Sequence, residues 1–175
     1  MQKVKISLQT SVHKLLEVLE KKGFRTRVLN SDKEVKDYIN DQVPDQTTVG
    51  LGDSITTCKL NIRHILAAKG STIFYSWDGS ENYNRSLDTF ENPPRPDYYI
   101  TRITAITTNG EFLMKDYNKS AANRNNFPLH VMAFAGLNRL TEEFEKTESL
   151  IKYPVITSSP ENIEFTIILL PFLNY

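Results

Sequence analysis

The spacing of hydrophobic positions along the first part of the chain predicts helices and strands in alternation. Apolar residues recur every three or four positions, the spacing of one helix face, at Val12, Leu15, Leu16 and Leu19. Gly23 follows where a helix cap is expected, and residues 24–29 are a short predicted strand. Ser31 and Glu34 then have the spacing of a capping box at the start of a second helix, which ends near Pro44.

The middle of the chain continues this alternation. A β-prone run over residues 47–49 leads into Gly50, and one long helix is predicted over residues 54–70. Cys58 lies on the apolar face of that helix, so we expect it to be a small buried hydrophobe. Residues 71–77 form the next predicted strand.

The second half of the chain is richer in strand patterns. Residues 98–103 and 112–114 flank a turn sequence and predict a hairpin, while residues 141–152 have a helical pattern. Residues 129–135 are continuously apolar, as in a strand covered on both faces, and residues 163–170 are a last strand. Because helices and strands alternate over most of the chain, the predicted fold class is α/β with a mostly parallel sheet flanked by helices.

Length and charge narrow the class of protein. The chain has 175 residues, and we expect one domain over residues 1–175, with an N-terminal helical and strand region over 1–46 and a core over 47–175. Its 21 basic and 21 acidic residues leave no net charge to attract nucleic acid or an anionic membrane. No apolar run approaches the roughly 20 residues of a membrane span, and residues 1–11 lack a signal-peptide pattern. We therefore expect a cytoplasmic protein with neither nucleic acid nor membrane as a partner.

Residues that commonly bind metals are few and dispersed. The single Cys58 excludes an intrachain disulfide and any cysteine-based zinc or iron–sulfur site. His13, His64 and His130 lie far apart and have no partners at the spacing of metal ligands. We expect neither a metal nor another cofactor.

A glycine-rich segment between a predicted strand and a predicted helix is the first candidate ligand site. Gly50 and Gly52 would let the backbone approach a ligand closely. Free N–H groups at a helix start attract phosphate or carboxylate, and the hydroxyls of Ser54 and Thr56 add donors. The alternative is a tight turn in which Asp53 or Ser54 only caps the helix.

Two Asn-Arg pairs form the second candidate ligand site. They are Asn123 with Arg124 and Asn138 with Arg139, and arginine binds carboxylate or phosphate through a planar pair of hydrogen bonds. Asn138 follows an apolar strand and so lies near the carboxyl edge of the sheet, where open α/β sheets bind ligands. Arg124 is predicted to supply the main counter-charge, because it lies in a polar loop, whereas Arg102 is predicted to lie within a strand. The alternative for these cations is a solvated surface charge.

Five short motifs follow one another across nearly the whole chain. They are VGLGDSIT at residues 49–56, DYYIT at 97–101, TAITTNG at 104–110, NR at 123–124 and GLNRL at 136–140. In this order they resemble the lactate-utilisation (LUD) domain family. The resemblance implies a three-layer α/β fold like that of ribose-5-phosphate isomerase, glucosamine-phosphate deaminase and CoA transferases, and it adds Thr104 to the candidate ligand-binding residues. It also implies a role in oxidising lactate beside an iron–sulfur oxidoreductase subunit.

The chain departs from the family pattern just before Gly110. Similar proteins carry an acidic residue where Thr108 or Asn109 stands, and its loss removes the obvious general base of that loop. The expected function is therefore binding of a small anionic metabolite by an accessory subunit of organic-acid utilisation, with a homo-oligomer left open. Two alternatives remain: an isomerase or CoA-transferase-type enzyme acting on a sugar phosphate or acyl thioester, and an interaction scaffold with a vestigial pocket.

Overall fold

The computed structural model describes residues 2–52, 55–76, 96–114, 128–141 and 155–172. The helices are α1 (Gln2–Lys21), α2 (Asp32–Gln42), α3 (Ile55–Lys59) and α4 (Ile62–Ala68). The strands are β1 (Arg25–Val28), β2 (Thr48–Gly52), β3 (Thr72–Ser76), β4 (Tyr98–Arg102), β5 (Ala105–Thr107), β6 (Phe112–Leu113), β7 (His130–Gly136), β8 (Leu140–Thr141), β9 (Val155–Ile156) and β10 (Glu164–Leu170). One turn of 3-10 helix, Leu137–Arg139, joins β7 to β8.

Six strands form a parallel sheet in the order β1-β10-β7-β4-β2-β3. Its centre is the pair β7 and β10, which stay in register from His130 beside Glu164 to Gly136 beside Leu170. Both strands are long apolar runs, as expected where a parallel sheet is covered on both faces. The predicted α/β class with a mostly parallel sheet is confirmed.

Helices cover both faces of this sheet and make a three-layer structure. Successive residues of a strand point to opposite faces, so Val131 and Ala133 pack in the core that contains Leu15 and Leu19 of α1. Phe134 packs in the other core, which contains buried residues of α2 and α4. The hydrophobic positions of α1 that the sequence places on one face are therefore the ones that bury the sheet.

A second, four-stranded sheet has the order β8-β5-β6-β9. Here β5 pairs antiparallel with β6, while β5 and β8 run parallel. The predicted hairpin had residues 98–103 as the partner of residues 112–114, which is wrong. Residues 98–102 belong to the six-stranded sheet as β4, and the short β5 that follows them makes the hairpin instead, with Gly110 at a φ of 70° in its turn.

The single long helix predicted over residues 54–70 is two short helices, α3 and α4. Asn61 between them has a left-handed backbone with φ at 56°, which an α-helix cannot contain. Leu60, just before the break, is buried, whereas Ile55 at the start of α3 is 58% exposed. Cys58 is exposed too, and the prediction that it is buried is wrong.

The ends of α1 and α2 follow the sequence closely. The Ser31 hydroxyl accepts a hydrogen bond from the Glu34 N–H at 3.2 Å, which confirms the capping box. The Glu34 carboxylate in turn accepts from the N–H of Asn30 at 2.9 Å. Gly23, just after α1, has a φ of 86°, as its predicted role as a cap requires.

Two further findings concern membranes and the last predicted helix. Among the described residues, none of the helices has both the length and the apolar character that crossing a bilayer demands. The helix predicted over residues 141–152 begins at Thr141, which lies in β8, and the rest of it lies outside the described residues.

Candidate anion-binding site

A cleft lies where two neighbouring strands leave the six-stranded sheet at its carboxyl edge. Strand β4 ends at Arg102, and the N–H of Ile103 donates to the Phe134 carbonyl at 2.7 Å before the chain enters β5. Strand β7 ends at Gly136 and continues through the 3-10 turn into β8, beside β5. The two chains thus pass side by side from one sheet to the other, and the cleft opens between them and α3.

The cleft is open to solvent and combines apolar with polar lining residues. Two of the apolar ones, Phe134 and Ile103, are buried side chains. The described residues that line the cleft are Thr56, Arg102, Ile103, Phe134, Gly136, Asn138 and Arg139. Hydroxyl, amide and guanidinium groups therefore converge on one small space at the edge where α/β sheets bind ligands.

Arg102 differs from the other polar residues of the cleft. Its side chain is half-buried, yet its guanidinium has no hydrogen bond or ion pair within the described ranges. Thr56, Asn138 and Arg139 each have a partner. A guanidinium without a partner at this edge can form charge-assisted hydrogen bonds with an anion that comes from solution.

Two of the predicted ligand-binding residues, Thr56 and Asn138, line the cleft. Gly52 ends β2 at the same edge of the sheet but is not among the described residues of the lining. Thr104 also lies outside the lining, and its hydroxyl is buried without a hydrogen-bond partner in the described part of the chain. Asp53, Ser54, Asn123 and Arg124 lie outside the described residues.

Gly50 has a packing reason to be glycine. It is buried in the middle of β2, and a Cβ atom built on it would lie 2.8 Å from Cδ2 of the Tyr99 ring. Tyr99 is itself buried in the neighbouring strand β4, so the ring cannot move aside cheaply. The backbone at Gly50 is therefore approached by an aromatic side chain.

Sequence reasoning missed Arg102, although it placed that residue correctly in a strand. The sequence predicts Arg102 within a strand and not in a loop at the edge of the sheet, but Arg102 is the last residue of β4. A charged residue that ends an apolar parallel strand marks the carboxyl edge, and this pattern was available in the sequence. Phe134 and Ile103 could be found only as core residues, because nothing in their spacing indicates a cleft.

The amino edge of the same sheet carries charged side chains that bind one another. The Arg25 guanidinium pairs with the Glu164 carboxylate, and His130 Nδ1 lies 3.7 Å from the other oxygen of that carboxylate. His130 also stacks on Tyr98 with 4.5 Å between the ring centroids. Burial, and then the nearby charges of Glu164 and Asp97, raise the pKa of the Tyr98 hydroxyl.

Asp97 joins the amino ends of β4 and β2. Its Oδ2 accepts hydrogen bonds from the Thr48 hydroxyl at 2.5 Å and from the Thr48 backbone N–H at 3.0 Å. The N–H of Asp97 donates back to the Thr48 hydroxyl oxygen at 2.9 Å. The side-chain bond first, and then the backbone bond, lower the pKa of the Asp97 carboxyl from its ordinary value of 3.8.

The two edges therefore offer different chemistry. The amino edge has acids that bind their neighbours and a histidine that stacks on Tyr98. The described residues contain no group of three metal-binding side chains. None of the seven described lining residues of the cleft is a carboxylate, a histidine or a cysteine. The cleft as described can thus hold an anion through charge-assisted hydrogen bonds, but it supplies no general base.

Comparison with known proteins begins with the family models. The model of the LUD domain matches residues 12–166. No curated protein matches the sequence.

Among the solved structures that are similar to this chain, one supports the fold. A DUF162 family protein from Deinococcus radiodurans is similar over 93% of this chain and 98% of its own, with a TM-score of 0.56 and 9% sequence identity. The beta subunit of eIF2B from Chaetomium thermophilum matches 71% of this chain and 44% of its own at 15% identity, with a TM-score of 0.47. The delta subunit of eIF2B from the same organism matches 78% and 56% at 10% identity, with a TM-score of 0.45.

Proposed function

The chain belongs to the LUD domain family, and from that premise we propose that it binds a small anionic metabolite in the cleft at the carboxyl edge of its main sheet. In this proposal it is an accessory protein of lactate or organic-acid utilisation and works in the cytoplasm. Its partner is an iron–sulfur oxidoreductase subunit, which supplies the redox chemistry.

The observation that carries this proposal is the state of Arg102. Arginine stays charged at any physiological pH, and here the half-buried residue has no partner among the described residues. An anion in the cleft would give the guanidinium its missing hydrogen bonds. Thr56 and Asn138, from two other elements, line the same space and carry groups that can orient the anion.

Binding is favoured over isomerase or acyl-transfer catalysis by what lines the cleft. Proton transfer needs a side chain that can accept a proton within hydrogen-bond reach of the substrate. The described lining holds only arginine, threonine, asparagine, glycine and apolar residues. Thr108 and Asn109, where similar proteins carry an acid, are both exposed in the turn between β5 and β6.

Calorimetric titration with inorganic phosphate and with lactate tests the proposal. Arg102→Gln should weaken the binding of whichever anion the wild type binds by about 10- to 150-fold, the effect of losing a charge-assisted hydrogen bond of roughly 1.5–3 kcal/mol. Arg63→Gln is the matched control, because Arg63 is exposed on α4 and is not part of the described lining. Equal affinities of the wild type and Arg102→Gln would refute the proposed site.

Arg124→Gln belongs in the same series. The sequence makes Arg124 the main counter-charge, and a loss confined to Arg124→Gln would move the anion away from the cleft described here. A loss in both variants would mean that the two arginines contact the same anion. A protein that binds neither phosphate nor lactate would favour the scaffold alternative.

A further inference from the structure

Gly136 is the one glycine among the described residues that line the cleft. It is the last residue of β7 and is half-buried. Its φ is −74° and its ψ is 148°, an extended conformation that residues with a side chain adopt readily. Gly23 and Gly110, in contrast, have a positive φ, which favours glycine. The backbone conformation therefore does not explain why residue 136 is a glycine.

Strand register shows where a side chain at residue 136 would point. Phe134 lies beside Arg102 in the pairing of β7 with β4, so these two side chains lie on the same face of the sheet. Successive residues of a strand point to opposite faces, so residue 136 has the same orientation as Phe134. Phe134, Arg102 and Gly136 all line the cleft, in agreement with this register. A side chain at residue 136 would thus project into the cleft on the face that carries Arg102.

We propose that Gly136 is a specificity-determining residue of the cleft, because the space that its missing side chain leaves beside Arg102 is the space that the anion occupies. This inference rests on the proposed function, since it concerns the anion bound by Arg102. An anion that accepts hydrogen bonds from this guanidinium must come within about 3 Å of it, so it needs empty space on this face of the sheet. A methyl group at residue 136 would compete with the anion for that space.

Calorimetric titration of Gly136→Ala with inorganic phosphate and with lactate tests this inference. The variant should bind whichever anion the wild type binds about tenfold or more weakly, the order of effect when a methyl group is forced into filled space. Gly136→Val, with a larger side chain, should bind it more weakly still. Ala67→Val is the matched control, because it enlarges an exposed residue of α4 outside the described lining, and it should bind like the wild type.

The melting temperature separates this role from a packing role. Because alanine fits the backbone conformation of residue 136, Gly136→Ala should leave the Tm of the anion-free protein unchanged or raise it slightly, by restricting the unfolded chain. Gly50→Ala should do the opposite, lowering the Tm and retaining the affinity, because its Cβ meets the Tyr99 ring. A clear fall in the Tm of Gly136→Ala would show that packing requires the glycine and would overturn the inference.

The outcomes also separate this inference from the proposed function. If Arg102→Gln loses affinity and Gly136→Ala binds like the wild type, the proposed function stands and the role of Gly136 is wrong. If the wild type binds neither anion, or if Arg102→Gln binds like the wild type, both fail. A loss of affinity in both variants, with an unchanged or higher Tm in Gly136→Ala, is the result that supports the inference.

Discussion

At the amino edge of the six-stranded sheet, Glu164 binds Arg25 and lies 3.7 Å from His130 Nδ1, and Asp97 binds Thr48. At the carboxyl edge, Arg102 has no such partner in the described part of the chain. The same strands, β4, β7 and β10, supply both edges. The difference lies in how the charges at each edge are satisfied.

Parallel pairing explains why each edge can be specialised. All amino ends of the strands meet at one edge and all carboxyl ends at the other, so residues distant in sequence become neighbours in each group. Charged side chains that bind one another stabilise the edge and are not available to bind a ligand. A half-buried charge without a partner lowers stability, and such sites are expected where function requires them.

The largest expected effect separates the two edges directly. Phosphate at about 100 times its Kd should raise the free energy of unfolding of the wild type by about 2.7 kcal/mol. For a chain of this length this is a rise in Tm of roughly 5–10 °C, measured by thermal unfolding with and without phosphate. Arg102→Gln should lose most of this rise, and Arg25→Gln, at the amino edge, should retain it. If both variants lost this rise in Tm equally, the two edges would not differ in their contribution to anion binding.

Substitution of Gly50 should have the next largest effect, and this effect is on stability alone. Its added Cβ would meet the Tyr99 ring at 2.8 Å, so Gly50→Ala overpacks the core and should lower the free energy of unfolding by about 1–3 kcal/mol. Urea unfolding measures this loss. Anion affinity should not change, because Gly50 is not in the described lining of the cleft.

A double variant tests whether contact with the Tyr99 ring causes this loss of stability. Adding Tyr99→Leu to Gly50→Ala makes room for the new methyl group, so the two changes together should cost less than the sum of their separate costs. Strict additivity, or a large loss of anion affinity in Gly50→Ala, would assign Gly50 to the ligand site instead of to packing.

Asp97 gives a smaller effect, with a defined pH dependence. Its folded carboxyl has a pKa below 3.8, its ordinary value, so the unfolded chain takes up the proton first as the pH falls. The contribution of Asp97 to stability is thus present above about pH 4 and is lost as the pH falls below 3.8 through the lower folded pKa. Asp97→Asn should cost about 1 kcal/mol at pH 7, the order of a hydrogen bond at an exposed carboxylate.

Unfolding curves between pH 7 and pH 2.5 measure this effect. The difference in stability between the wild type and Asp97→Asn should shrink across the acid part of that range. Thr48→Val, which removes the hydroxyl donor, should reproduce part of the loss at pH 7. A difference that stays constant down to pH 2.5 would show that the charge of Asp97 is not what joins β4 to β2.

Much of the fold could be predicted from the sequence, because local rules determine it. Apolar spacing specified α1, the continuous apolar run specified β7, and the Ser31 and Glu34 pair specified the start of α2. The errors occurred where tertiary packing overrides a local pattern. Asn61 breaks a helix that the apolar spacing makes continuous, and β5 replaces β4 in the hairpin because β4 is already paired with two other strands.

The site was less predictable, because it depends on strand register and not on motifs. Sequence reasoning brought Thr56 and Asn138 to the carboxyl edge, where both line the cleft. It set Arg102 aside, because the predicted strand over residues 98–103 keeps Arg102 in its interior, whereas β4 ends at Arg102, beside Phe134. Gly50 lies in a glycine-rich segment of the kind that binds ligands. Only the position of the Tyr99 ring shows that packing requires a glycine there.

The smallest expected effect concerns the ion pair of Arg25 and Glu164 at the amino edge. The Arg25 side chain is 63% exposed and that of Glu164 35% exposed, so water and salt screen the attraction between them. A double-mutant cycle with Arg25→Gln and Glu164→Gln, followed by urea unfolding, should give a coupling free energy of about 0.2–1 kcal/mol. The coupling should fall towards zero in 1 M salt, where the screening length is about 3 Å. A coupling well above this range that persists in high salt would mean that the amino edge holds a strong, specific charge network, and the two edges would then differ in strength as well as in the availability of their arginines.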